Sequence, residues 1–320
     1  MTAIHVTQYG PLNQLVVSED GGPTGVGEGQ LLVKVSATSI NPVDAGMAEG
    51  AMADDAPLDL PFTLGGDYSG TVEKVGPGVE GFSVGDAVIG QANVLMGGSG
   101  SFADRLVAPA MFAAHAPRAV PLIEAASLPL VGASAVQALG TLSPLYGKTV
   151  LVLGGGGSIG SIAVQLAKAA GARVIASAAG PDHDFVASLG ADEVHDYADE
   201  SWLKDLTKLD GILDASPGVD PTLYYPLLRE GASMVSLVTQ HDADAAAAAG
   251  VMASTQMTLP VTETLDRLVA AVDAGGLTLR IAETLPLQQV AEAFEVDVTT
   301  AGKVLLVAGP RARTTTGEAR

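Results

Sequence analysis

Residues 150–160, Val-Leu-Val-Leu-Gly-Gly-Gly-Gly-Ser-Ile-Gly, decide how the rest of the chain is interpreted. Four apolar residues predict a buried strand, and Gly155, Gly157 and Gly160 then follow as G-x-G-x-x-G. In this pattern the glycines allow a tight turn, a close approach of the backbone to a pyrophosphate, and close packing of the next helix on the strand. A helix beginning at Ser158 would offer free N–H groups and a partial positive charge to the phosphates.

The sequence around this motif alternates between predicted strands and helices, which indicates a doubly wound parallel sheet. Strands are predicted at 149–153, 173–177, 211–215 and 233–238, and helices at 158–170, 182–189 and 221–228. The alternative is a glycine-rich turn in an α/β domain that binds no nucleotide. The β-α-β context of the motif argues against that alternative.

The two ends of the chain have a different pattern. Strand-like runs at 31–37, 70–75 and 87–89 are separated by Gly- and Pro-containing turns, which is typical of an irregular, mostly antiparallel β domain. Near the other end, helices are predicted at 262–274 and 290–298, and a closing strand at 303–307. The alanine-rich run 243–249 predicts a short helix or linker.

Charge and composition exclude several classes of protein. The chain has 36 acidic and 16 basic residues, a formal net charge of −20, which repels nucleic-acid backbones. It has no cysteine, which excludes disulfides, thiolate nucleophiles and thiolate zinc sites. The uncharged stretches 125–147 and 149–167 are long enough to span a membrane, but prolines and glycines interrupt them. No membrane association and no secretory signal are expected, so the expected localisation is cytoplasmic.

Several further motifs occur in a specific order. They are Ile40-Asn41-Pro42-Val43-Asp44, Leu64-Gly65-Gly66-Asp67-Tyr68-Ser69-Gly70, Val84-Gly85-Asp86, Ser127-Leu128-Pro129-Leu130-Val131-Gly132 and Leu189-Gly190-Ala191-Asp192. Together with the glycine motif, they resemble the zinc-independent medium-chain dehydrogenase/reductase superfamily, in its quinone oxidoreductase (zeta-crystallin-like) branch. The resemblance extends over about residues 1–309.

The resemblance implies an α/β fold of two domains with the active site in the cleft between them. A GroES-like, β-rich catalytic domain would be formed by residues 1–120 and 255–309. A doubly wound, parallel-sheet Rossmann domain would occupy residues 121–254. Residues 310–320 are expected to be a flexible tail.

The same resemblance predicts that the chain has no metal site. Zinc-dependent relatives carry a cysteine where this chain has Asn41, a histidine where it has Gly66, and a third ligand, also cysteine, near Leu130. None of these ligands is present, and the five histidines are scattered without ligand spacing. A metal-polarised alcohol is therefore not the expected chemistry.

Without zinc, hydride transfer requires a carbon that is already electrophilic, as in a conjugated enone or a quinone. By resemblance, Asn41 lies beside the nicotinamide and the substrate carbonyl, with Asp44 nearby. Asn41 would donate a hydrogen bond to the developing oxyanion, or would serve only as a turn former before Pro42. Asp44 is more readily structural than catalytic. Tyr68 is a candidate proton donor, although core packing is the favoured interpretation of its place in a strand.

The cofactor interpretation depends on the end of the second Rossmann strand. NAD sites place a carboxylate there for the ribose 2′-hydroxyl, and here the first acidic residue is only Asp182. NADPH is therefore favoured over NADH, although the basic residue that the family often has near Pro181 is missing. The candidate cofactor contacts are Ser134, Gly155, Gly157, Ser158, Ile159, Gly160, Ser177, Tyr197, Ser236, Leu237, Val238 and Lys303. For Lys303, a solubilising role on an edge strand is equally open.

The sequence thus predicts an NADPH-dependent reductase that transfers a hydride to a small α,β-unsaturated carbonyl compound or quinone. Family tyrosines after Asp44 are replaced by residues such as Met47 and Met52, which puts quinone specificity in question. Alternatives on the same fold are a biosynthetic enoyl reductase and a non-redox cyclase. A cofactor-bound sensor or an RNA-binding protein is a further alternative, and the net charge of −20 argues against RNA. Dimers are common in the family, so a homodimer is the expected assembly.

Overall fold

The protein is described by a computed structural model that covers residues 1–309 except 21, 55, 207, 276 and 297–301. Over these residues the strands are β1 Ala3–Val6, β2 Val16–Ser18, β3 Gln30–Ser39, β4 Phe62–Thr63, β5 Asp67–Val75, β6 Ala87–Gln91, β7 Arg105–Pro109, β8 Ala113–His115, β9 Thr149–Leu153, β10 Arg173–Ala178, β11 Glu193–Asp196, β12 Leu209–Asp214, β13 Leu228–Ser236, β14 Met252–Thr255, β15 Ile281–Pro286 and β16 Lys303–Val307. The α-helices are α1 Pro42–Glu49, α2 Leu122–Ala125, α3 Pro129–Leu142, α4 Ser158–Ala169, α5 His183–Ser188, α6 Ala243–Ala248, α7 Thr262–Asp273 and α8 Val290–Glu295. The tail expected at 310–320 and the end of the helix expected at 290–298 lie outside the described residues.

The middle of the chain forms a six-stranded sheet in the order β11-β10-β9-β12-β13-β14, and every pair in it is parallel. The central strand β9 is apolar and buried from Val150 to Leu153, because helices cover a parallel sheet on both faces. The order in which successive strands are added to the sheet reverses at β9, because β10 and β11 lie on one side of it and β12, β13 and β14 on the other. In such sheets ligands bind at the carboxyl ends of the strands near this switch point.

The two ends of the chain form one seven-stranded sheet, in the order β15-β16-β3-β5-β6-β8 with β7 paired to β3. In its long antiparallel ladder, β3 pairs with β5 from Leu31 to Thr38. The C-terminal strand β16 pairs antiparallel with the end of β3, so that Leu305 lies opposite Ser39. This pairing brings residues near 303 next to residues near 41, which are distant in sequence.

The structure differs from the expectation at 221–228, where the predicted helix is wrong. Pro221–Leu223 and Tyr225–Leu227 form two short 3₁₀ turns, and β13 begins at Leu228. Pro226 explains the difference, because proline lacks an N–H group and its ring clashes with the preceding helical turn. The sequence interpretation also missed β14, whose four residues are mostly exposed at the edge of the sheet.

Among the described residues, no helix is both long and apolar enough to cross a membrane.

Candidate active site

The glycine-rich turn between β9 and α4 has the geometry of a nucleotide cradle. Gly154 has a φ of 78°, so the left-handed residue is one position before the G-x-G-x-x-G motif. Ser177, at the end of β10, accepts a hydrogen bond from the Gly155 N–H through its carbonyl oxygen at 2.8 Å. A Cβ on Gly160 would lie 2.1 Å from the Gly154 oxygen, so only glycine allows α4 to pack this close. These contacts fix the turn against the sheet.

The helix that follows begins with unpaired donors. Gly157 is the N-cap of α4, and the N–H groups of the first turn, from Ser158 to Gly160, have no acceptor within the helix. A Cβ on Gly157 would meet only the Gly154 oxygen, at 3.4 Å, so the space above the turn is open. Exposed N–H groups at a helix start next to an open glycine turn fit a diphosphate. The predicted contacts at residues 155–160 therefore suit a dinucleotide.

A buried carboxylate organises the second half of the site. Asp67 is fully buried at the start of β5, and its two oxygens accept four hydrogen bonds. The donors are Ser39 Oγ at 2.8 Å, Asn41 Nδ2 at 2.9 Å, Gln91 Nε2 at 3.0 Å and Leu130 N at 2.9 Å. Asp67 thus joins the segments around Asn41, Gly66 and Leu130, where zinc-dependent relatives carry ligands. The sequence analysis quoted Asp67 in a motif but assigned it no role.

A buried ammonium group lies beside this carboxylate. Lys303, the first residue of β16, is 6% exposed, and its Nζ donates to Asn41 Oδ1 and to the Ile40 carbonyl oxygen, both at 2.6 Å. The same Nζ lies 4.0 Å from Asp67 Oδ2. Burial lowers the pKa of Lys303, while Asp67 and Asp44 oppose that shift. The solubilising edge role left open for Lys303 does not fit a side chain this deeply buried.

The Asn41 amide is held from both sides. Its oxygen accepts from Lys303, and its nitrogen donates to Asp67 and approaches the Ser39 carbonyl oxygen at 3.5 Å. Asn41 is 2% exposed. The amide therefore connects a buried cation to a buried anion, and this network already uses the donor that was predicted to serve the substrate.

Asp44 lies in the same cluster. Its carboxylate accepts the Asn41 backbone N–H at 2.8 Å, which fixes the start of α1. Burial raises the pKa of Asp44 to about 7; the Asn41 N–H opposes this shift, Asp67 adds to it, and Lys303 opposes it. A structural role for Asp44 agrees with this geometry.

Tyr68 is placed away from this cluster. It follows Asp67 in β5, and alternate residues of a strand point to opposite faces. Its side chain is fully buried in an apolar cluster with Val33, Val88 and Leu106, and no described residue offers its hydroxyl a hydrogen-bond partner. Burial also raises the pKa of Tyr68 above its ordinary value. Tyr68 is a core residue, and its candidacy as a proton donor is withdrawn.

Three other predicted contacts lie at the carboxyl end of the parallel sheet. Ser236 donates to the buried Asp214 at 2.7 Å, and its Oγ accepts from the N–H groups of Val238 at 3.2 Å and Thr239 at 2.8 Å. The backbone N–H of Leu237 donates to the Asp214 carbonyl oxygen at 2.9 Å. Ser236 therefore shapes the loop at 237–239, which borders the switch point of the sheet.

The two remaining predicted contacts, Ser134 and Tyr197, differ in how accessible their side chains are to a ligand. The Ser134 hydroxyl is buried, donates to the Leu130 carbonyl oxygen and also contacts Thr258 Oγ1 at 2.7 Å, so its single donor is already used. Tyr197 is 57% exposed just after β11, and its N–H reaches the Ala178 carbonyl oxygen at the end of β10. Of the two, Tyr197 is the one open to a ligand.

The two halves of the site meet at one small cavity. Its wall includes Ser158 and Ser161 of α4, Ser127 before α3, and Arg280 and Lys303 from the C-terminal segment. Two cationic side chains and the amino end of α4 thus border a common space between the two sheets. Arg280 was not among the predicted residues.

A second small cavity lies beyond α1. Met47 and Met52 line it together with Tyr9 and Leu95. Over the described residues, no group of three or more His, Asp or Glu side chains is arranged to hold a metal ion.

Comparisons with known proteins agree with this architecture. A family model described as an alcohol dehydrogenase GroES-like domain matches residues 27–118, and one described as a zinc-binding dehydrogenase matches residues 158–262. The chain is 32% identical over 295 residues to a chloroplast envelope quinone oxidoreductase homolog of Arabidopsis thaliana, covering 87% of this chain and 89% of that protein. It is 34% identical over 245 residues to a chloroplastic NADPH-dependent alkenal/one oxidoreductase of the same plant, covering 74% of this chain and 62% of that protein.

The fold is also that of a solved enzyme. The quinone oxidoreductase from Coxiella burnetii superposes with a TM-score of 0.85 at 29% identity, covering 97% of this chain and 99% of that one. The predicted GroES-like and Rossmann-type architecture is thereby confirmed. The chain belongs to the medium-chain dehydrogenase/reductase superfamily, in its quinone oxidoreductase branch, and is an oxidoreductase that uses a nicotinamide cofactor.

Proposed function

We propose that the protein transfers a hydride from NADPH to a conjugated carbonyl compound, an enone or a quinone. The observation that carries this proposal is the cavity at which the amino end of α4 meets Lys303. One side of that cavity suits the diphosphate of a dinucleotide. The other side presents a buried cation that a developing negative charge would favour.

The residues of the Rossmann half bind and orient the cofactor. Backbone N–H groups from Ser158 to Gly160 would hold the diphosphate, and the loop at 237–239, fixed by Ser236, would border the nicotinamide. Bound NADPH would supply the hydride from C4 of its nicotinamide ring. The protein contributes position and the exclusion of water.

The residues of the catalytic half stabilise charge on the substrate oxygen. An ammonium group has three N–H donors, and among the described residues Ile40 and Asn41 accept two of those of Lys303. The third remains for the substrate carbonyl oxygen, on which charge develops as the hydride arrives. Asn41 and Asp67 hold the ammonium in place. We therefore assign to Lys303 the donor role that the sequence predicted for Asn41.

The choice of a conjugated carbonyl as substrate is supported by the residue types of the site. The positions that carry zinc ligands in relatives are Asn41, Gly66 and Leu130 here, and a backbone N–H or an amide cannot polarise a simple alcohol as a metal ion does. An enone or quinone needs less assistance, because its own carbonyl group delocalises the charge. A relative named an alkenal/one oxidoreductase agrees with this substrate class.

A turnover assay tests the proposal. Purified protein is incubated with NADPH and a panel of enones, quinones and simple ketones, and both the oxidation of NADPH and the formation of reduced product are measured. We expect equal molar amounts of both with at least one conjugated substrate. Product without NADPH oxidation would instead indicate a non-redox cyclase. The proposal would be refuted if the protein formed no reduced product and also failed to bind NADPH.

A homodimer and a cytoplasmic localisation stay predictions. Sedimentation of the purified protein over a range of concentrations would test the homodimer. Imaging of a tagged protein in its native cell would test the cytoplasmic localisation.

A further inference from the structure

Arg280 connects the C-terminal segment to the adenosine side of the Rossmann sheet. Its Nη1 donates to the Gly156 carbonyl oxygen at 3.0 Å, and its Nη2 donates to Asp182 Oδ1 at 2.7 Å. The guanidinium carbon lies 4.5 Å from the centre of the Phe185 ring. We propose that Arg280 recognises the 2′-phosphate of NADPH and that Asp182 is its counter-ion; this inference rests on the proposed function.

The position of the pair identifies the part of the nucleotide that it would meet. Asp182 follows β10 and precedes α5, and a Cβ on Gly156 would lie 2.7 Å from Asp182 Oδ2. The pair therefore lies between the glycine turn and the loop after the second Rossmann strand. In dinucleotide-binding domains the ribose 2′ position lies at the end of that strand, where an acidic residue selects NAD and an arginine accommodates the phosphate of NADP.

The guanidinium of Arg280 keeps donors for a ligand. An arginine has five N–H donors in a planar fork, and among the residues that the structure describes Gly156 and Asp182 accept two of those of Arg280. The ring of Phe185 and these two bonds hold the plane of the fork, so little rotamer entropy remains to be lost on binding. The side chain is 21% exposed and lines the cavity that also contains Ser158. A planar fork of this kind binds phosphate oxygens through two parallel bonds.

Without Arg280, the Asp182 carboxylate would favour NADH over NADPH. Its side chain is 7% exposed, and a bare carboxylate at this place would repel a 2′-phosphate and bind a ribose hydroxyl. The ion pair with Arg280 neutralises it. The two residues therefore act on nucleotide selectivity in opposite directions, and removing either one should shift the preference the other way.

The test compares two nucleotides across four proteins. Dissociation constants for NADPH and NADH are measured by calorimetry at one salt concentration for the wild type, Arg280→Met, Asp182→Asn and the control Arg267→Met. Arg267 is 68% exposed, and within the described part of the chain its side chain pairs with Glu263 alone, on the surface of α7, so it controls for the loss of one positive charge.

Arg280→Met should weaken NADPH binding by about tenfold or more, since it removes the charge-assisted hydrogen bonds to the 2′-phosphate. Its effect on NADH should be several times smaller. Asp182→Asn should raise the ratio of NADPH to NADH affinity, and Arg267→Met should leave it unchanged. Arg280→Lys keeps the charge without the fork and should fall between the wild type and Arg280→Met, which gives a second variant if the methionine protein does not fold.

The outcomes separate this inference from the proposed function. The role of Arg280 would be overturned, and the proposed function left standing, by either of two results. One is an equal loss of NADPH and NADH affinity in both Arg280 variants, and the other is an Asp182→Asn protein whose preference shifts to NADH. A wild-type protein that binds neither nucleotide would refute the proposed function itself.

Discussion

At the scale of single residues, the site depends on buried charges that compensate one another. Asp67 and Asp44 are almost completely buried, and Lys303 is the cation between them. A buried charge without a partner costs several kcal/mol, because the interior solvates it poorly. Lys303 therefore has a structural role as well as the proposed role in charge stabilisation.

Lys303→Met should lower the free energy of unfolding by about 3–5 kcal/mol, because it leaves the buried Asp67 carboxylate, and the ionised fraction of Asp44, without a cation. Urea unfolding at neutral pH measures this loss. The double variant Lys303→Met/Asp67→Asn also removes the negative charge of Asp67, so it should recover part of the lost free energy of unfolding. A double variant as unstable as the sum of the two single variants would contradict the pairing.

Asp44 predicts a dependence of stability on pH. Burial raises its pKa in the folded protein from 3.8 to about 7, so between these values the folded state binds more protons than the unfolded chain. The contribution of Asp44 is therefore most favourable at acidic pH and is lost as the pH rises through about 7, with a slope of at most about 1.4 kcal/mol per pH unit.

The measurement is the free energy of unfolding across this range in the wild type and in Asp44→Asn, which cannot titrate. The variant should lack the Asp44 part of the slope. Identical slopes in the two proteins would show that Asp44 has an ordinary pKa.

The sequence predicted some residues of this site and not others, because local motifs mark some of them and only long-range contacts bring in the rest. Asn41 and Lys303 were singled out because their local motifs carry a resemblance. Arg280 was missed because its partner, Asp182, lies 98 positions away, and no local pattern encodes that contact. The local sequence around Asp182 has no lysine or arginine, and the fold supplies one, Arg280, from near the other end of the chain.

At the scale of elements, local patterns were enough wherever local forces decide. The apolar run of β9 and the glycine spacing before α4 predict a strand, a turn and a helix, because each depends on neighbouring residues. The pattern at 221–228 failed, since apolar spacing suggested a helix that Pro226 does not permit. The pairing of β16 with β3 could come only from the resemblance, because it joins opposite ends of the chain.

The turn before α4 gives a prediction at this scale. Gly160→Ala places a methyl group against the Gly154 oxygen, so it should lower stability by about 1–3 kcal/mol and weaken nucleotide binding. Gly140→Ala is the matched control, because this glycine is exposed in α3 with no atom within 4 Å of a Cβ. The control should be more stable than the wild type by about 0.5–1 kcal/mol. Thermal unfolding with and without NADPH measures both effects, and a Gly160→Ala protein that binds NADPH normally would contradict the close packing of this turn.

At the scale of the whole molecule, the fold brings its two ends to one cleft. Lys303 reaches Asn41 across 262 positions of sequence, and Arg280 reaches the glycine turn across 124. Every cation assigned to the site comes from the C-terminal segment, while the diphosphate cradle belongs to the Rossmann sheet. Binding of the nucleotide between them should therefore stabilise the molecule as a unit.

Thermal shift measures this coupling. NADPH at about 100 times its dissociation constant should add about 2.7 kcal/mol of stability, and NADH at the same concentration should add less. A larger shift with NADH would reverse the assignment of the cofactor.

The most direct measurement of the central claim follows the hydride itself. The protein is given NADPH carrying deuterium at C4 of the nicotinamide, in separate samples for each face, together with a conjugated enone, and the product is analysed by mass spectrometry and NMR. The account predicts that one of the two labelled forms places a single deuterium on the β-carbon. A reduced product without deuterium from either form, or no reduction of any conjugated carbonyl compound, would contradict it.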